Sequence, residues 1–206
     1  MDLDKELKIP SPSREQVESY IEKWSKKSEY VDKEKSLNTL FKNYPHNNDI
    51  SEILLKAAAI NSFYSTNVFS IYEVAEHIKN KNIDPELESG EPRLVEELKQ
   101  VPIKNSKTGI INFYSFTTKY CSFHKPDKFP IYDSYVDKVL RYFRNHDEKY
   151  NNGYVKLRFK NDDLKDYVKY KSILIAFRKI HKLDKCNFKQ LDQYLWQLGK
   201  EYFSNK

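Results

Sequence analysis

The sequence predicts an all-α fold with at most one small β-hairpin. Three observations carry that expectation. Apolar residues recur at three- and four-residue spacing along most of the chain. Only four glycines interrupt its 206 residues. Helix start and stop signals bracket the periodic stretches. The length suits a single unit with a real core.

Each element can be justified in order. Ser11–Pro12–Ser13 is a start signal for a helix over about 13–26. A second helix covers about 32–42, and the stretch NYPHNND (43–49) breaks the chain. ISEILLKAAAINSFY (50–64) is apolar on nearly all faces and reads as the most buried helix. A further helix spans about 68–79. Pro92 stands where a first-turn proline belongs and opens a helix to about Gln100. KTGIINFYSFTTKYCSFH (107–124) reads as mostly helical, and KPDKFP ends it. In FPIYDSYVDKVLRYF (129–143), Val136, Val139, Leu140 and Phe143 set a helical period to about Arg144. NHDEKYNNGYVKLRFKNDD (145–163) is the clearest loop. Val155, Leu157 and Phe159 alternate with Lys156, Arg158 and Lys160, so a hairpin is expected near 153–160. Helices over about 163–183 and 188–202 finish the chain.

Composition excludes several classes of protein. No apolar run is long enough to span a membrane, and the charged start MDLDKELKIP is no signal peptide, so a cytosolic monomer without membrane contact is expected. Two cysteines, Cys121 and Cys186, fit no metal-site spacing and cannot hold a four-cysteine cluster; both are read as reduced thiols, and no cofactor or metal is expected. Charge is unevenly placed. Residues 104–160 hold 12 Lys and Arg against 5 Asp and Glu, a net of +7, whereas the rest holds 24 against 25, a net of −1. A localised excess of this kind points to a polyanionic partner.

Asp133 heads the helix that follows it. An aspartate there is a natural N-cap, since its oxygen accepts from the free N–H groups of the first turn. The same place, at the edge of a core, also suits a carboxylate that stabilises developing positive charge. The local sequence is compatible with both roles.

The stretch FPIYDSYVDKVL resembles the segment of the helix-hairpin-helix DNA glycosylase superfamily that carries its catalytic aspartate. It is nearest to the adenine-mismatch branch, with Pro130, Ile131, Asp133, Val136, Lys138, Val139 and Leu140 matching. Ser115 lies eighteen positions upstream of Asp133, where that branch has a serine and the bifunctional branches a lysine. LLKAAAINSFYSTNVFSIYEVAEHI (54–78) is similar to the family's early buried helix and turn. Ser62 and Thr66 match that turn, with Asn61 beside them, and Tyr64 stands where the family has the glutamine that wedges into the duplex. The glycines of the family hairpin are missing from GIINFY (109–114), and the branch's acidic glutamate falls on Ile60.

The resemblance implies a single glycosylase-like unit of two helical lobes, one over about 45–145 and the other from 1–44 with 146–206. It implies hydrolysis of the N-glycosidic bond of a flipped, damaged or modified base in double-stranded DNA, in genome repair or anti-phage defence. Asp133 stabilises the sugar cation and directs a water, leaving an intact abasic site. Lys138, Arg141, Arg144, Lys156 and Arg158 neutralise phosphates, and Tyr64 helps fill the gap left by the base. Lys119, one turn after Ser115, is either a surface lysine touching phosphate or, with a shift of helix register, a relocated nucleophile. Cys121 and His124 near the same helix end lack a third partner and read as structural. A DNA-binding module of the same fold without catalysis is the alternative.

Overall fold

A computed structural model describes residues 8–104, 106–107, 109–146 and 157–204. Among these are ten α-helices: α1 (Arg14–Ser25), α2 (Ser28–Asn43), α3 (Ile50–Tyr64), α4 (Ile71–Lys81), α5 (Asp84–Ser89), α6 (Arg93–Leu98), α7 (Tyr114–His124), α8 (Ser134–His146), α9 (Tyr167–Ile180) and α10 (Phe188–Phe203). A 3₁₀ turn, Asn161–Lys165, precedes α9. One antiparallel pair, β1 (Gln100–Pro102) and β2 (Ile110–Asn112), sets Val101 opposite Ile111. None of the described helices is long and apolar enough to cross a membrane.

The expected starts are visible as caps. Ser13 accepts from the Gln16 N–H at the head of α1, and Asp49 accepts from Ser51 and Glu52 at the head of α3. The hairpin falls elsewhere than expected. Residues 109–113 are not helical; instead β2 returns along β1, with Gly109 at φ +71° before it. Val101, Ile103, Ile110 and Ile111 are β-branched and prefer the extended backbone, and glycine tolerates the left-handed turn. Around 153–160 the reverse holds: residues 157–160 form no strand, and 147–156 lie outside the described residues. Leu157 is nonetheless buried, so the alternation there marks an apolar anchor.

One apolar cluster runs through the described residues and includes side chains from α1, α3, α7, α8, α9 and α10. α10 packs on both α8 and α1, so the two ends of the chain meet. Gly199 makes the closest approach possible: a Cβ there would lie 2.7 Å from the Tyr135 backbone oxygen. α2 packs on α3 and α7. Beneath that corner lies a buried polar knot. The Lys56 ammonium donates to the carbonyls of Tyr44 at 2.9 Å and His46 at 2.7 Å, and to Asn47 Oδ1 at 2.9 Å. Tyr120 of α7 donates to the same Asn47 oxygen. Burial lowers the Lys56 pKa to about 8, and the three acceptors offset that desolvation. His124 joins the knot 3.1 Å from Asn47, with burial and the Lys56 charge pushing its pKa down to about 3. It is therefore a neutral structural histidine near pH 7. Cys121 and Cys186 are free and buried thiols.

Gly199→Ala should force α10 away from the start of α8. The expected loss is about 1–3 kcal/mol of stability, the usual cost of overpacking, read from urea denaturation. An unchanged midpoint would mean that the helices separate freely.

Candidate active site

Six segments converge on one pocket of about 150 Å³. Its lining includes Trp24 from α1, Tyr30 and Lys33 from α2, Phe63, Tyr64 and Ser65 from the end of α3, Lys119 from α7, Ile131 and Asp133 before α8, and Asp192 and Trp196 from α10. Both tryptophans of the chain are there. Trp24, Tyr30 and Trp196 touch one another with ring centres 5.3–5.7 Å apart. An apolar cavity near this size is enough for one benzene-sized ring, and flat aromatic walls favour a flat guest.

Lys119 is the centre of the polar side. Its amine donates to Ser115 Oγ at 2.7 Å and lies 3.7 Å from Asp133 Oδ2. It also sits 3.4 Å from the Tyr132 carbonyl and 5.5 Å from the centre of the Tyr64 ring. Only 3% of its side chain is exposed. Burial pushes its pKa down, with Asp133 and Asp192 acting against that shift. A surface role for Lys119 is thereby corrected. Ser115 and Lys119 are four residues apart on α7, so they share one helix face. Ser115 takes the matched position, but its hydroxyl supports the lysine amine from behind.

Asp133 is both cap and site residue. Oδ1 accepts from the Tyr135 N–H at 2.9 Å in the first turn of α8, while Oδ2 faces Lys119. The cap fixes the rotamer, and the fixed rotamer aims the second oxygen.

Asp192 is the residue that sequence reasoning missed. It lines the same pocket, and its Oδ1 is buried with no hydrogen-bond partner among the described residues. Burial pushes its pKa up to about 6; Lys189 and Lys119 oppose the shift, while Asp133 and Glu34 add to it. The signal was faint: an aspartate and a tryptophan four residues apart on an amphipathic helix, with nothing local to pair them with Asp133.

Other expected site residues take different places. Tyr64 is not a projecting wedge. Its ring is partly buried in the pocket wall, 5.9 Å from the Phe123 ring. Asn61 and Thr66 are engaged with each other at 2.8 Å, and Asn61 holds both backbone groups of Val68 at 2.9 Å. They staple a turn in which Ser65 and Asn67 have positive φ. Ser62 is exposed and outside the pocket lining. The side chain that does project is Phe69, 94% exposed, at the end of that turn.

The basic residues divide likewise. Arg141 binds Asp137 and the Asn161 carbonyl, and Arg144 binds the Phe159 carbonyl and Asn161 Oδ1. These contacts tie 157–161 to α8 and turn both arginines away from free phosphate-contacting roles. Lys138 is exposed over the Tyr135 ring, and Arg158 is exposed; Lys156 lies outside the described residues. Lys200 lies over Tyr30 and Trp196 of the pocket wall. No group of His, Cys, Asp or Glu among the described residues could hold a metal ion.

Fold and site thus define a helical protein with an aromatic pocket around a buried lysine–aspartate pair. The chain belongs to the family described as the HI_0787_N N-terminal domain, whose profile matches residues 16–128. It is also 49% identical over 144 residues to an uncharacterized protein of Haemophilus influenzae (strain ATCC 51907 / DSM 11121 / KW20 / Rd). That match covers 69% of this chain and 64% of the relative, so the chain spans under two-thirds of the relative's length. No solved structure matches.

The raised pKa of Asp192 has a measurable consequence. The native state holds its proton between pH 3.8 and about 6, where the unfolded chain has lost it. Stability from this group is therefore present at low pH and lost as pH rises through that window. Asp192→Asn should flatten the fall, measured as the difference between wild-type and variant urea midpoints from pH 4 to 7. A difference that is constant with pH would place the carboxyl in water.

Proposed function

We propose that the protein is a DNA glycosylase in which Lys119 and Asp133 perform the chemistry on a base turned into the aromatic pocket. The observation that carries this reading is the Lys119 amine, buried at the pocket and 3.7 Å from Asp133. The helical class, the motif around Asp133 and the excess of positive charge over 104–160 support it.

The position of Lys119 supports an amine as the attacking group in place of the water expected on sequence grounds. Burial increases the share of neutral amine, the nucleophilic form. In this mechanism the Lys119 nitrogen bonds to C1′ of the deoxyribose, and the electron pair of the glycosidic bond leaves with the base. Asp133 offsets the positive charge on the sugar, then takes a proton from the new aminium. Asp133 returns that proton to O4′ as the C1′–O4′ bond breaks and the sugar opens to an imine; loss of a C2′ proton to water then expels the 3′ phosphate and cuts the strand. The lining supports this reading: the expected two lobes would meet at this pocket, to which α1, α2 and α10 contribute Trp24, Tyr30, Lys33, Asp192 and Trp196, and α3, α7 and the Asp133 segment contribute the rest. Phe69 takes the wedge role from Tyr64, since it projects from the turn that follows pocket residues 63–65.

Borohydride added to the protein with an abasic-site oligonucleotide should trap a one-to-one covalent adduct. Lys119→Gln should abolish it, and Asp133→Asn should slow it by about 10²–10³-fold while retaining much of the cap. Equal trapping by wild type and Lys119→Gln would move the reaction to an adventitious surface lysine and sink the assignment.

Binding gives a second measurement. Affinity for duplex DNA should fall linearly with log salt as counterions are released. Replacing Lys138 and Lys200 together by Ala should weaken binding and reduce that slope by about 1 per lost phosphate contact. Salt-independent affinity would exclude phosphate as the main target.

A further inference from the structure

We infer that Asp192 is the acid of this site, a carboxyl that hydrogen-bonds the bound base and hands it a proton as the glycosidic bond breaks. The inference rests on the glycosylase reading above and adds a group to it. The starting observation is positional. Asp192 reaches the pocket from α10, whereas Lys119 and Asp133 reach it from α7 and the head of α8. A base stacked against the aromatic wall that includes Trp196 would have Asp192 at its edge, since Asp192 and Trp196 are one helical turn apart on α10 and both line the pocket.

The second observation is chemical. Asp133 has a partner for each oxygen: the Tyr135 N–H donates to Oδ1, and the Lys119 ammonium pairs with Oδ2 at 3.7 Å. Asp192 Oδ1 is buried without one. A buried carboxyl lacking donors favours its protonated form, and an acid so held both donates and accepts a hydrogen bond. With its pKa raised to about 6, the group is protonated in part below neutral pH and gives up its proton readily. The charged and titratable groups that face it are Lys189 on its own helix, Lys119 on α7, Asp133 before α8 and Glu34 on α2; Lys33, Tyr30 and Tyr64 share the pocket lining. The two lysines favour its charged form and the two carboxylates oppose it, so its loading follows the state of the Lys119–Asp133 pair. No acidic residue at position 60 is then required: Ile60 is fully buried in the core, and Asp192 supplies the proton from a different helix.

The step balances. The bond from C1′ to the base breaks and its electron pair stays on the base nitrogen. The Asp192 proton goes to a ring nitrogen or exocyclic oxygen of the same base, which leaves neutral. Carbon C1′ receives the pair of the Lys119 nitrogen. Asp192, now a carboxylate, is reprotonated from water once the base departs. The substrates that need this help are bases that would otherwise leave as anions, such as adenine, hypoxanthine or an oxidised purine. An N7-alkylated purine already carries positive charge and leaves without a proton.

The test uses the full chain and Asp192→Asn, with oligonucleotides carrying hypoxanthine, adenine, 8-oxoguanine or 7-methylguanine, and a preformed abasic site trapped with borohydride. Asp192→Asn should still trap abasic DNA, because no base remains there to be protonated. It should lose about 10²–10³-fold in excision of neutral bases, in the range of general acid catalysis, and far less for 7-methylguanine. Wild-type excision of a neutral base should decline as pH rises above about 6, and the variant should lack that limb. Equal losses on neutral and alkylated bases, or no loss, would overturn the acid role. So would a wild type that traps abasic DNA but excises none of the four. A wild type that neither traps nor excises removes the glycosylase reading itself, and the acid role with it. Failure of Asp192→Asn to fold is covered by Asp192→Glu, which should restore the neutral-base preference and the pH limb.

Discussion

The site depends on one stretch of irregular backbone, residues 129–133, buried between helices with no strand or helix of its own. Buried backbone polar groups outside regular structure need partners from elsewhere. Here side chains provide them. Tyr167 donates to the Pro130 carbonyl at 3.0 Å, Tyr170 donates to that of Ile131, and Thr118 accepts from the Tyr132 N–H at 3.1 Å. The Tyr132 carbonyl receives the Ser115 hydroxyl and the Lys119 amine, both at 3.4 Å. Two helices are thereby fixed to one segment: α9 through its tyrosines and α7 through the Ser115–Thr118–Lys119 face. Asp133 follows directly, so its position is inherited from bonds made by its neighbours.

Seen this way, the buried lysine has two functions that reinforce each other. Removing an ammonium from water is costly unless acceptors surround it. Lys119 has Ser115, Tyr132, Asp133 and the face of Tyr64 within reach. Lys56 has a comparable acceptor set in the knot below, yet it is fully buried and outside the lining of this pocket. The two lysines differ less in electrostatics than in access. Lys56 is surrounded by backbone carbonyls that fasten the 44–47 turn to α3. Lys119 has one open side, and that side is the pocket.

Much of the fold was legible in the sequence. Where apolar residues keep a helical period and a cap precedes them, as in α1, α3, α8 and α10, the expected bounds lie within two residues of those observed. The failures have physical causes. Residues 107–113 carry β-branched pairs that fit no helix face, and their strand partner Gln100–Pro102 lies across a turn, beyond any local window. α5 is six residues long, too short to show a period. The site was legible only in part. Asp133 stood out because its neighbours carry a motif. Lys119 was visible but indistinguishable from other lysines, since burial is not written in a chain with 36 Lys and Arg. Tyr64 was singled out by its motif position and lines the pocket, but whether a ring at a helix end turns inward or outward is decided by tertiary packing. Trp24, Tyr30, Asp192 and Trp196 come from opposite ends of the chain, and only the packing of α1 against α10 brings them together.

Two carboxyl groups facing one lysine in a small pocket would be redundant if their surroundings were alike. They are not. Asp133 sits at the head of α8, where an N–H of the first turn and the helix dipole both favour negative charge. Asp192 sits within α10, five residues past Asn187, the cap of that helix, and gains nothing from free N–H groups. Its Oδ1 has no donor, and Asp133 is itself one of the charges that raise its pKa. Burial is what chiefly pushes the second carboxyl towards its acid form, and the Asp133 charge adds to that push. Pairs of titratable groups whose environments drive them apart in this way are how a site holds an acid and a charged stabiliser at the same pH. The division follows from where each helix begins: Asp133 is a cap and Asp192 is not.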